Sequence, residues 1–147
     1  MSNGIKQSDC KFYVNEEERT IVCVIENTQD MVLDYIMDHF NFPDLELDAA
    51  YGKLREELKM PRSFIGKAVC SENDEWDVEL GCLIAFSRMK NKVYTSFFKR
   101  ANLFVQTIDR RLNEIISNFN DFGLNLENKR EALEAAIEHQ TNKEGDD

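Results

Sequence analysis

The chain has two prolines, Pro43 and Pro61, and no apolar run approaching the ~18 residues of a membrane span. Its opening residues, MSNGIKQSDC, hold no apolar signal core, so export is not expected and a cytoplasmic location is. There are two histidines, His39 and His139, and four cysteines, Cys10, Cys23, Cys70 and Cys82, none spaced as C-x-x-C. That set supplies no recognisable zinc site, and the thiols are expected to be reduced and mostly buried. Neither a P-loop nor a G-x-G-x-x-G turn is present, and the carboxylates of ENDEWD lack the glycine and spacing of a calcium loop. No serine or cysteine has a base at a telling distance along the chain. These absences give no reason to expect catalysis, a metal or a cofactor.

What the chain does have is charge, strongly segregated. Its 147 residues carry a net charge of −10. Between Leu80 and Asn113, however, the charged residues are Arg88, Lys90, Lys92, Lys99, Arg100, Arg110, Arg111 and the single acid Asp109, a net of +6 that leaves −16 elsewhere. Solubility alone calls for interspersed charges. Three readings compete. The cations could pair with the acidic hairpin turn and tail, within or between chains. They could form a pocket for a phosphate-bearing small molecule. Direct nucleic-acid binding is disfavoured, because the remaining negative charge repels a phosphate backbone.

The pattern of apolar residues predicts an α+β fold. KFYVNEEERTIVCVIE reads as a β-hairpin whose second strand, apolar from Ile21 to Ile25, is expected to be covered on both faces. NTQDMVLDYIMDHF changes to helical spacing, with Asn27 or Thr28 as its cap and His39 packed at its end. FPD breaks that helix, LELDAAYGKLREELKM forms a weaker one, and SFIGKAVC is a third strand. SENDEWD turns into a long helix over 77–122, with Ser71, Asn73 or Asp74 as cap. Phe97, Ala101, Phe104, Ile108, Leu112, Ile115, Phe119 and Phe122 are spaced 4, 3, 4, 4, 3, 4 and 3, close to a heptad register. Forty such residues would extend roughly 60 Å, so the distal part must pack on another chain or on a returning helix. Gly123 offers a stop, a short returning helix over 123–141 follows, and 142–147 reads as a disordered tail. The expected architecture is a small antiparallel sheet with short helices, and one long helix used for oligomerisation.

The run GKAVCSENDEWDVELGCLIAFSR is similar to a pattern in small phage and prophage proteins: a strand ending G-x-A-x-C, a turn D-E-aromatic-D, then E-x-G-x-x-x-A-x-x-R on a helix. Within that group it resembles the Thoeris anti-defence sponge family, phage proteins that sequester cyclic ADP-ribose isomers and, in some members, cyclic oligonucleotides without cleaving them. The resemblance covers about twenty-five residues. It implies action in a host bacterial cytoplasm, assembly through subunit interfaces, and use of the positions held here by Arg88 and Ser71. The long region beyond Arg100 departs from a compact sponge.

Two functions follow as expectations. The first is sequestration of an anionic cyclic nucleotide or ADP-ribose-derived signal. Arg88 and Lys92 would face phosphate, Ser71 would donate a hydrogen bond, Trp76 or Phe64 would stack on a base, and Arg62 and Lys67 would close the site. The second is an acidic protein–protein inhibitor or assembly factor that docks on a host complex.

Overall fold

The computed structural model describes residues 4–39 and 47–145, with side chains from 52 onward in the second span. The chain divides into two units, Met1–Val105 and Gln106–Asp147.

The first unit is the α+β part. Strands β1 (Lys11–Asn15), β2 (Thr20–Glu26) and β3 (Ser63–Val69) form an antiparallel sheet in the order β1-β2-β3. The period-two alternation of β2 sends Ile21, Cys23 and Ile25 to one face, where all three are buried. The register places Phe12 and Gly66 beside Cys23, and Phe64 beside Ile25, on that same face. The other face is open, which corrects the expectation of a strand covered on both sides. There Val22 and Val24 are half-buried between exposed Tyr13 and Ile65.

The hairpin loop closes with Arg19 in the left-handed region at φ 51°. Its guanidinium donates to Cys70 Sγ at 3.2 Å and to the Asp74 carbonyl, tying the loop to the turn after β3. Helix α1 (Met31–His39) buries Val32 and Ile36, and His39 stacks on Tyr35 with ring centroids 4.1 Å apart. Thr28 does not cap α1 with its side chain. It is buried and donates its hydroxyl to the Pro61 carbonyl, while its N–H donates to Arg62 O at 3.2 Å. Helix α2 (Leu47–Leu58) buries Leu54 and Leu58. The expected break at FPD lies outside the described residues.

Helix α3 (Val78–Glu144) begins at Asp77, whose carboxylate accepts the Leu80 N–H at 3.1 Å. This is the cap the sequence reading assigned to Ser71, Asn73 or Asp74. Ser71 and Asp74 instead bond each other at 2.9 Å within the turn. The early part of α3 buries Ala85, Met89, Val93 and Phe97, four residues apart, against the inner sheet face and α1.

The second unit is helical from Gln106 to Glu144. In place of the expected stop at Gly123 and the separate returning helix over 123–141, α3 continues unbroken to Glu144, which also takes in the start of the tail expected over 142–147; residues 146–147 lie outside the described residues. One glycine costs a helix about 1 kcal/mol, and strong formers such as Leu124, Leu126, Ala132 and Leu133 flank it. Among the described residues, no helix is long and apolar enough to cross a membrane.

Among the glycines of the first unit, Gly66 has the least room. A Cβ built there would stand 1.9 Å from Ala85 O and 2.4 Å from Met89 N, both backbone atoms that cannot yield. At Gly81 it would meet only Ile21 Cδ1, at 2.4 Å, the end of a side chain. Gly66→Ala is therefore expected to destabilise the fold by about 3 kcal/mol. Gly81→Ala should change stability by less than ~1 kcal/mol, because improved helix propensity offsets the displacement of Ile21. Urea denaturation of the two variants checks this contrast.

Candidate functional site

The basic run on α3 is the feature that singles out a site, and its partners decide its chemistry. Arg88 Nη1 donates to the Lys67 carbonyl at 2.8 Å. One turn on, Lys92 Nζ donates to the Ile65 carbonyl at 2.7 Å. Two turns further, Arg100 Nε donates to the Lys59 carbonyl at 2.6 Å, and its Nη1 bonds Ser96 Oγ at 2.5 Å. Arg88, Lys92 and Arg100 thus form a ladder along the backbone of 59–67. The first two rungs occupy carbonyls of β3, whose outer side has no neighbouring strand. An open strand edge is a template for unwanted pairing, and charged side chains that take its carbonyls blunt it. The third rung satisfies a carbonyl just past the end of α2, where cationic donors are favoured. Lys90 lies over the Phe86 ring at 5.1 Å.

Carboxylates play little part in this arrangement. The ion pairs among the described residues are Lys11–Glu26, Arg55–Asp30, Lys59–Glu56 and Arg130–Glu127. None uses a cation of the 88–111 run.

A cavity of about 340 Å³ opens beyond the C-terminal end of β3. Its apolar wall includes Ile21, Ala68, Leu80 and Ile84, and its rim carries Asp74, Glu75 and Asp77. Trp76 lines it, with Nε1 buried and no acceptor among the described residues. Three carboxylates at the rim repel a phosphate.

The residues expected to hold a nucleotide are accordingly dispersed. Arg88 and Lys92 meet the backbone of β3 along its edge, where Lys67 contributes its carbonyl while its side chain, opposite Val22, belongs to the open face. Ser71 lies in the turn, engaged with Asp74, and Trp76 lines the cavity. Phe64 packs into the inner-face core, and Arg62 is exposed where the chain enters β3. Of the expected ligand set, only Trp76 lines the cavity.

Sequence reasoning missed Arg19 and Gly66. Arg19 is the lone cation of the acidic NEEER turn, and that isolation was its one visible signal. Among the described residues, no cluster of His, Cys, Asp and Glu is grouped to hold a metal ion. Cys23 is fully buried, while Cys10, Cys70 and Cys82 are half-buried. Burial pushes the Cys23 thiol up to about 12, and the neighbouring Cys10 adds to the effect. No protein-family model, curated protein or solved structure matches the chain.

Two outcomes are expected. Arg88→Ala and Lys92→Ala should each lower stability by about 1 kcal/mol, the scale of one exposed charge-assisted bond, as read from urea midpoints. The Cys23 contribution depends on pH with a defined sign. Its folded value lies above the ordinary 9.0, so its stabilisation is complete below pH 9 and is lost as the pH rises toward 12. Denaturation midpoints across that window should fall less steeply in Cys23→Ala than in the wild type.

Proposed function

We propose that this is a non-catalytic assembly protein whose long helix joins copies of the chain. One observation carries the reading: the second unit exposes an apolar stripe interrupted at one seam position, Lys129. Ile108, Leu112, Ile115, Phe119, Phe122, Leu126 and Leu133 follow one another at heptad spacing, and all are exposed, Phe119 to 73% and Ile115 to 63%. A helix with a one-sided seam of that period is stable when another helix covers the seam. Left in water it is marginal, since the packing of an amphipathic face supplies most of a helix's stability. A stripe of large apolar side chains on an otherwise polar surface marks a contact site.

The alternative, sequestration of an anionic nucleotide, draws less support from the geometry. Three of the best-placed cations already donate to backbone carbonyls, and the cavity beside Trp76 is rimmed by acids. The net charge of −10 and the acidic turn remain available for docking on a basic partner surface.

Sedimentation of the full chain should show a concentration-dependent oligomer that Phe119→Glu weakens at least a hundredfold. Losing about 3 kcal/mol of apolar burial over the two copies accounts for that factor. Helicity should fall with the association. A wild-type chain that stays monomeric, with a helix indifferent to Phe119→Glu, would refute the reading. A thermal shift with a cyclic nucleotide that is lost in Arg88→Ala, with the fold intact, would restore the alternative.

A further inference from the structure

The stripe also carries information about orientation. Read as heptads, Leu112, Phe119, Leu126 and Leu133 occupy one seam position, and Ile108, Ile115, Phe122 and Lys129 occupy the other. Lys129 is the only charged residue among them. In a parallel, in-register pair it would meet its own copy in the seam, with two ammonium groups opposed. We infer that the segment Ile108–Leu133 pairs antiparallel with the same segment of a second copy, with Phe119 of each helix facing Phe122 of the other. The inference rests on the self-association proposed above and adds its geometry.

In that register the seam layers are Ile108 with Leu133, Leu112 with Lys129, Ile115 with Leu126, and Phe119 with Phe122. Lys129 now packs its aliphatic stem on Leu112 and carries its ammonium outward. The flanking positions agree. Asp109 and Arg130 share the position just after the second seam residue, and antiparallel helices bring these flanks together. Asp109 of each copy falls beside Arg130 of the other, giving one attractive pair at each end. The same rule sets Ile116 over Gly123, where no described residue would lie within 4 Å of an added Cβ, so the exposed isoleucine has room to pack. Asn118 faces Asn125, two side chains able to bond each other. A parallel pair produces none of these matches, since it holds positions 109 and 130 about 30 Å apart along the axis.

The test exchanges charges in the full-length chain. Asp109→Arg alone places arginines opposite arginines at both ends of its dimer, and Arg130→Asp alone places acids opposite acids. Each should raise the dimer Kd about tenfold, as expected for two exposed pairs turned from attraction to repulsion. Mixed in equal amounts, the two variants regain an opposite-charge pair at both ends. They should form a heterodimer with close to wild-type Kd, seen by native mass spectrometry and quantified by sedimentation equilibrium. Circular dichroism of each variant verifies that the helix persists. Wild-type dimers combined with a purely statistical mixture of the variants would overturn the antiparallel register while leaving self-association intact. A monomeric wild type would overturn both.

Discussion

The first unit depends on one backbone contact. At Gly66, β3 passes so close to α3 that no side chain fits between the strand and the backbone at Ala85 and Met89. This contact fixes the depth at which the helix lies on the sheet. Ala85, Met89 and Val93, four residues apart, can then line the inner face together with Ile21 and Cys23. It also fixes the lateral position of α3. Arg88 and Lys92 come level with the carbonyls of Lys67 and Ile65, one residue either side of Gly66. A bulkier residue at 66 would lift the helix and pull both cations off the strand, so packing and edge protection are coupled through one missing Cβ.

Much of the positive charge on α3 is explained by those contacts. Lysine and arginine are long enough to cross from a helix to the open edge of the strand beneath it, and they offer donors to oxygens that have no other strand to accept from. Acidic residues have no donor to offer in that place. The segregation therefore follows from the topology. With β3 at one edge of the sheet and α3 alongside it, the cations gather on the helix, and the acids are spread over the turns, α1, α2 and the second unit. Such a cluster has a charge pattern resembling a ligand site, while Arg88, Lys92 and Arg100 each direct a donor to a backbone carbonyl. Arg110 and Arg111 lie past this ladder, in the second unit, so the sheet edge does not account for them.

The elements were legible in the sequence because each has its own period. The alternation of Thr20–Glu26, the helical spacing after Asp30 and the apolar content of SFIGKAVC place the strands and α-helices of the first unit in order, though not the short 3-10 turn at Gln7–Asp9. The seam from Ile108 to Phe122 was legible for the same reason. What could not be read were relations between elements. The side-chain pattern of β3 reveals nothing about Gly66, because a glycine inside a strand reads the same whether it faces water or a helix backbone. The partners of Arg88 and Lys92 are main-chain oxygens, which leave no trace in residue identity. The helix end was misjudged because Gly123 is a strong local signal, yet a single glycine is outweighed by the formers around it.

The two units treat apolar surface in opposite ways, and this difference bears on how each is stabilised. In the first unit the large side chains of β2, α1 and early α3 converge inward, and even its edge strand has donors for its carbonyls. Its stability is a property of one chain. In the second unit the apolar residues line one side of a single helix and point to solvent, with Arg130–Glu127 its one ion pair among the described residues. Within the second unit, the described residues give such a helix little beyond its own backbone bonds and that ion pair. Under the association proposed above, its order would be linked to what covers the seam and would rise by mass action with the concentration of that partner. Under self-association the partner is the chain itself, so the helix responds to how much of the protein is present while the sheet does not.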